Sequence, residues 1–126
     1  MGEALSHLMV IPYDPSIPGI DEPPEPHDMV VSLDVLEHIE PDCLDAVLDE
    51  IKRCALKAVF LTINMMPAAK TLADGRNAHL IQKPIEWWLP KLMDRWHLLG
   101  VTQRGYTEFV FTGEPHSQSQ RNRKAA

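Results

Sequence analysis

Two short runs of this 126-residue chain gather most of the side chains that do chemistry at neutral pH. The first is Asp34, Glu37 and His38, directly after the apolar run Met29–Leu33. The second is Asp74, Arg76, Asn77 and His79, inside Ala73–Leu80 (ADGRNAHL). A carboxylate accepts hydrogen bonds, a guanidinium grips an anion through paired donors, and an imidazole exchanges a proton near neutrality. That set suits a small anionic molecule, with Arg76, Asn77 and His38 binding it and His79 taking a proton. Each run also has a plainer reading. Glu37-His38 would serve as a helix-entry pair bonded to backbone, and Asp74-Gly75 as a solvated turn.

The flanking segments must position these groups. Met29–Leu33 is apolar nearly throughout, as in a strand covered on both faces. Pro41–Cys54 carries Cys43, Leu44, Val47, Leu48, Ile51 and Cys54 at helical spacing, with Pro41 suited to a first turn. Ala58–Ile63 reads as a second buried strand, and a long loop-like stretch runs from Asn64 to Lys83. Pro84–Arg95 is an amphipathic helix with Ile85, Trp88, Leu89 and Leu92 on one face and Pro90 as an expected kink. His97–Gln103 and Tyr106–Thr112 flank Arg104-Gly105 as a hairpin.

Strands alternating with helices predict an α/β domain with a largely parallel sheet. Ligands bind at the carboxyl ends of such strands, so both polar runs are expected on one rim. Upstream, Glu3–Leu8 reads as the end of a helix and Leu8–Tyr13 as a strand closed by Asp14. Residues 15–27 hold Pro15, Pro18, Pro23, Pro24 and Pro26, too many for regular structure. The domain is expected over 1–113, with 114–126 a polar, disordered tail.

A formal charge of −6 argues against a nucleic-acid surface. No apolar run reaches the ~20 residues of a membrane span, so a cytoplasmic protein without membrane contact is expected. Cys43 and Cys54 lie too far apart on one helix to bridge, which predicts reduced, packed thiols. The histidines and cysteines show no zinc spacing, and no metal is expected from spacing alone. Phosphate-binding P-loops and nucleophile elbows are absent from the sequence.

The run Asp28–Glu40, DMVVSLDVLEHIE, resembles the fourth-strand segment of class I S-adenosylmethionine (SAM)-dependent methyltransferases. The resemblance implies a Rossmann-like methyltransferase sheet, mostly parallel, closed by a hairpin whose last strand inserts antiparallel. It implies SAM as cofactor, with Ser32, Leu33 and Asp34 beside its methionine half. Asp14 matches the acidic position that holds the ribose hydroxyls, and its other reading is a turn aspartate before proline. The family's glycine-rich turn, which belongs between the first strand and first helix, does not occur here. The expectation is therefore a domain truncated at its N-terminus and lacking its first strand. Strand Leu8–Tyr13 would then pair directly with Met29–Leu33, detach, or leave a gap for another chain, self-association included. Methyl transfer to a small-molecule acceptor is the expected function. The alternative is a non-catalytic α/β interaction module or degenerate pseudoenzyme.

Overall fold

Strand β1 (His27–Leu33) begins immediately after Pro26, the last residue of the proline-rich stretch. In the computed structural model, which describes residues 10–117, it is followed by short 3-10 turns at Leu36–His38 and Pro41–Cys43. Then come α1 (Leu44–Cys54), β2 (Ala55–Asn64), α2 (Ile85–Arg95), β3 (His97–Arg104) and β4 (Glu108–Glu114). The expected helix end at Glu3–Leu8, the start of Leu8–Tyr13 and the tail beyond 117 lie outside the described residues.

The sheet has four strands in the order β1-β2-β4-β3. β1 and β2 are parallel, with Val30 opposite Val59 and Ser32 opposite Leu61. β4 runs antiparallel to both neighbours, setting Phe111 opposite Leu61 on one side and Val101 on the other. The last strand thus inserts between β2 and β3, as expected. Gly105, at φ +57°, makes the hairpin's turn.

Helices α1 and α2 share one core with the sheet. α1 contributes Leu44 and Leu48, and α2 contributes Ile85, Trp88 and Leu92. Val59, Leu61, Ile63, Phe109 and Phe111 meet them from the sheet, and Trp96 closes the floor. Arg95, only 11% exposed, ties the helices together through Asp49 (2.8 Å) and Asp45 (3.3 Å). Among the described residues no helix is long and apolar enough to cross a membrane.

Several expectations need correction. Residues 10–13 form no strand, because Pro12 lacks a donor and no strand among the described residues pairs with them; Val10 and Ile11 stay exposed. β1 is covered on one face, not two. Val30 and Ser32 are half-buried, whereas Met29, Val31 and Leu33 are each more than half exposed. Cys54 is packed as expected but Cys43 is exposed, since the chain there is a 3-10 turn before α1 sets its buried stripe. Pro90 lies inside α2 on its exposed side.

Candidate functional site

The carboxyl end of β1 is fastened to β2 by one residue pair. The Asp34 N–H donates to both the carbonyl and Oγ1 of Thr62, each at 3.0 Å, and the Thr62 hydroxyl donates to Asp34 Oδ1 at 3.1 Å. Asp34 sits at φ 55°, the positive-φ position held by a residue other than glycine among the described residues. A left-handed conformation costs an L-residue roughly 1–2 kcal/mol, and aspartate tolerates it better than most. This sharp turn out of the strand launches the Leu36–His38 turn, which buries Leu36 and Glu37 completely and leaves His38 exposed.

The loop after β2 folds back onto that turn. The Ile81 N–H donates to the Glu37 carbonyl at 3.0 Å, and His38 Nδ1 meets the Ala78 carbonyl at 3.0 Å. Asn77 is fully engaged in shaping the loop. Its Oδ1 accepts from the N–H groups of Ala68 and His79, and its Nδ2 donates to the Ala68 carbonyl, all at 2.9 Å. Arg76 reaches Glu40 with both terminal nitrogens (2.9 and 2.7 Å) and Asp74 with Nε (2.8 Å). Gly75, at φ +90°, makes the tight turn between them possible.

The consequence is convergence. Ligand-capable atoms of Glu37, His38 and His79 all lie within 4.8 Å of one another. The two imidazoles stand edge to face, centroids 4.6 Å apart and planes at 86°. His79 Nδ1 meets the Met66 carbonyl at 2.6 Å. Burial pushes the Glu37 carboxyl above the usual carboxylate range. The N–H groups of Glu37 and Asn64 face that carboxyl and pull weakly the other way, without closing a hydrogen bond to it. The Asp34 charge adds to the upward shift. Arg76, by contrast, is held firmly protonated, first by Glu40 and then by Asp74, and both carboxyls are lowered in return.

The residues singled out from sequence fall into two groups. His38 and His79 come together with Glu37, while Asp34, whose charge acts on Glu37, stands at the end of β1 directly after the exposed Leu33. Ser32 is half-buried beneath, on the same side of β1 as Val30. Arg76 and Asn77 spend their polar atoms on holding the loop. Asp14 lies in a turn, where its Oδ1 accepts from the N–H and hydroxyl of Ser16 at 2.9 and 2.6 Å, and those bonds lower its pKa. Thr62 and Glu40 escaped the sequence reading, because partners so distant along the chain leave no local pattern.

No protein-family model and no curated protein matches this chain. Solved structures do. The PH0226 protein of Pyrococcus horikoshii OT3 superposes with a TM-score of 0.53 at 13% identity, over 71% of this chain and 51% of its own. Magnesium protoporphyrin IX methyltransferase (ChlM) of Synechocystis PCC 6803, solved with S-adenosylhomocysteine (SAH), gives 0.51 at 19% identity, over 74% and 46%. The fold is a Rossmann-like methyltransferase fold. This chain spans about half the length of either structure. At such identities the likeness is one of fold, and it agrees with the antiparallel insertion of β4 beside β2.

Proposed function

We propose that this chain carries the rim of a SAM-dependent methyltransferase that acts on a small molecule. The observation that supports this most is the convergence of Glu37, His38 and His79, from the segments after β1 and β2, just beyond Asp34 at the carboxyl end of β1 in a methyltransferase-type sheet. SAM would supply an electrophilic methyl group on a sulfonium, whose departure as a neutral thioether needs no acid. The residues present suit the methionine half of that cofactor. Asp34 offers an exposed carboxylate fixed in direction by Thr62, with Ser32 and Leu33 just before it. His79, its ring oriented by the Met66 carbonyl, is placed to take a proton from an acceptor. Alignment of the acceptor would account for most of the rate. Arg76 acts in this reading by holding the loop that carries His79, and it meets an anionic acceptor only by exchanging Glu40 or Asp74 for it.

Calorimetry of the full chain with SAH tests the proposal. Binding that weakens in Asp34→Ala is the expected result. A flat titration would overturn it in favour of the second reading, a non-catalytic interaction module. One feature favours that reading: β1 is an edge of the sheet and exposes Met29, Val31 and Leu33 along it. Such an edge is suited to a partner strand, a second copy of this chain included. Sedimentation of the chain over a range of concentrations measures that self-association directly.

A further inference from the structure

Glu37 is the least expected residue in the molecule. It is 0% exposed, and among the described residues neither carboxylate oxygen closes a hydrogen bond, although the N–H groups of Glu37 and Asn64 face it. A buried carboxyl without partners costs several kcal/mol if ionised and roughly 1–3 kcal/mol even as a neutral group. A native structure retains such a group for a reason: stored strain, a catalytic role, or a water or ion that satisfies it. His38 and His79 bring ligand-capable atoms within 4.8 Å of Glu37, and His38 acts on it electrostatically, yet among the described residues neither ring closes a hydrogen bond to the carboxyl.

The histidines are prepared in a particular way. A backbone carbonyl can only accept, so the contacts of His38 with the Ala78 carbonyl and of His79 with the Met66 carbonyl place the proton on Nδ1 of each ring. In the neutral imidazole this leaves Nε2 with its lone pair available on both. Metal-binding histidines are characteristically held by such a hydrogen bond on the other ring nitrogen. Both carbonyls come from the loop after β2, and Asn77, between them in sequence, locks that loop through Ala68. The rings are thus fixed in tautomer and in direction before any ligand arrives.

From the unpartnered buried carboxylate and the two oriented imidazoles, we infer that Glu37, His38 and His79 form a three-ligand site for a divalent transition-metal ion. At metal–ligand distances of ~2.0–2.2 Å, ligand atoms around one ion stand roughly 3.3 Å apart. The present spread, within 4.8 Å, closes to that by shifts of about 1.5 Å or less. Two imidazoles and one carboxylate select zinc, cobalt or ferrous iron over magnesium or calcium, which prefer all-oxygen sites. Three protein ligands leave at least one coordination position, open to solvent past His38, for water or an oxygen of a bound molecule. The site is built from the chain's own side chains, and with a metal on Nε2 it replaces the proton-accepting role proposed for His79 rather than adding to it.

The test uses the full 126-residue chain, stripped with chelator and titrated with zinc chloride by calorimetry, without SAM or SAH. One zinc per chain is expected, with affinity falling by more than roughly 10-fold in His79→Ala and in Glu37→Gln, since loss of a mere supporting residue already costs roughly 10–100-fold. Cobalt chloride should give visible d–d absorption that is lost in both variants. Near-UV circular dichroism of the metal-free variants confirms that their tertiary packing is intact. If Glu37→Gln fails that check, His38→Ala replaces it, since that side chain is exposed. Absence of zinc binding below about 100 μM overturns the inference, as does binding that survives in the variants. Tighter binding of magnesium than of zinc overturns it too, because the donor set would then be wrong.

Discussion

Arg76 and Glu40 face each other through paired hydrogen bonds of 2.9 and 2.7 Å, joining the loop after β2 to the segment after β1. The same guanidinium reaches back to Asp74, so one side chain fixes both the shape of the loop and its seat. Pairs this exposed contribute little to global stability, but they limit local opening. In Glu40→Ala the amide protons of Leu72 and Ala78 should exchange faster, while those of β2 and β4 keep their protection. Hydrogen exchange followed by NMR reads this. Uniform acceleration across the sheet would show that the pair supports the whole fold rather than the loop.

The clamp should also loosen in acid. Asp74 is held below the usual carboxylate range by the Arg76 side chain first and the Arg76 N–H second. Its folded value lies below its unfolded one, so its contribution is complete above the unfolded pKa of ~3.9 and disappears as pH falls through the folded value. The Arg76 Nε–H resonance should therefore hold steady down to pH ~4 and move only below it. In Asp74→Asn, where the Asp74 titration is removed, that movement should be much reduced. An unchanged movement in the variant would place the titration on another group.

Much of the frame was legible in the sequence. Helical spacing in Leu44–Cys54 and the tryptophan-bearing stripe of Ile85–Arg95 foretold both helices, because each must bury one face. The hairpin followed from Gly105 between two apolar runs. The strand expected at Leu8–Tyr13 shows the limit: apolar residues are necessary for a strand, but a partner is required too, and residues 10–13 have none among the described residues. The coverage of β1 was misjudged for a related reason, since a run of apolar residues does not say how many layers pack on it. At the site, the types and rough location of Asp34, His38 and His79 were readable. The role of Arg76 and the isolation of Glu37 were not, since both depend on contacts between distant segments.

Asp34 offers a test in which opposing contributions nearly cancel. Replacing it with glycine relieves a left-handed conformation worth roughly 1–2 kcal/mol. The same change loses a hydrogen bond worth roughly 0.5–1.5 kcal/mol and adds a glycine entropy cost of roughly 0.5–1 kcal/mol. Asp34→Gly should thus stay within about 1 kcal/mol of the parent in urea unfolding. Asp34→Val has no such relief, because a β-branched residue resists positive φ, and should lose about 1–3 kcal/mol. Equal losses in the two variants would mean that the bond to Thr62 outweighs the backbone conformation.

Gly113 packs against the floor of the core with no room for a side chain. A Cβ there would stand 2.8 Å from Phe111 Cε1 and 2.9 Å from Trp96 Cβ. Trp96 Cβ is fixed to the backbone and the Phe111 ring is fully buried, so neither gives way cheaply. Gly113→Ala should cost about 1–3 kcal/mol, as overpacking of a filled core does. For a chain of 126 residues each kcal/mol lowers the melting temperature by roughly 3–6 °C, between the values for smaller and larger domains. Gly100 on the neighbouring strand is the control. Its Cβ would meet only the Thr112 Oγ1, at 3.2 Å, and moving that hydroxyl costs at most its hydrogen bond to the Gly100 carbonyl, roughly 0.5–1.5 kcal/mol. Thermal unfolding followed by tryptophan fluorescence should show a large drop for Gly113→Ala and a small change for Gly100→Ala. Similar melting temperatures for the two would mean that strand propensity, rather than contact with Trp96, sets the cost.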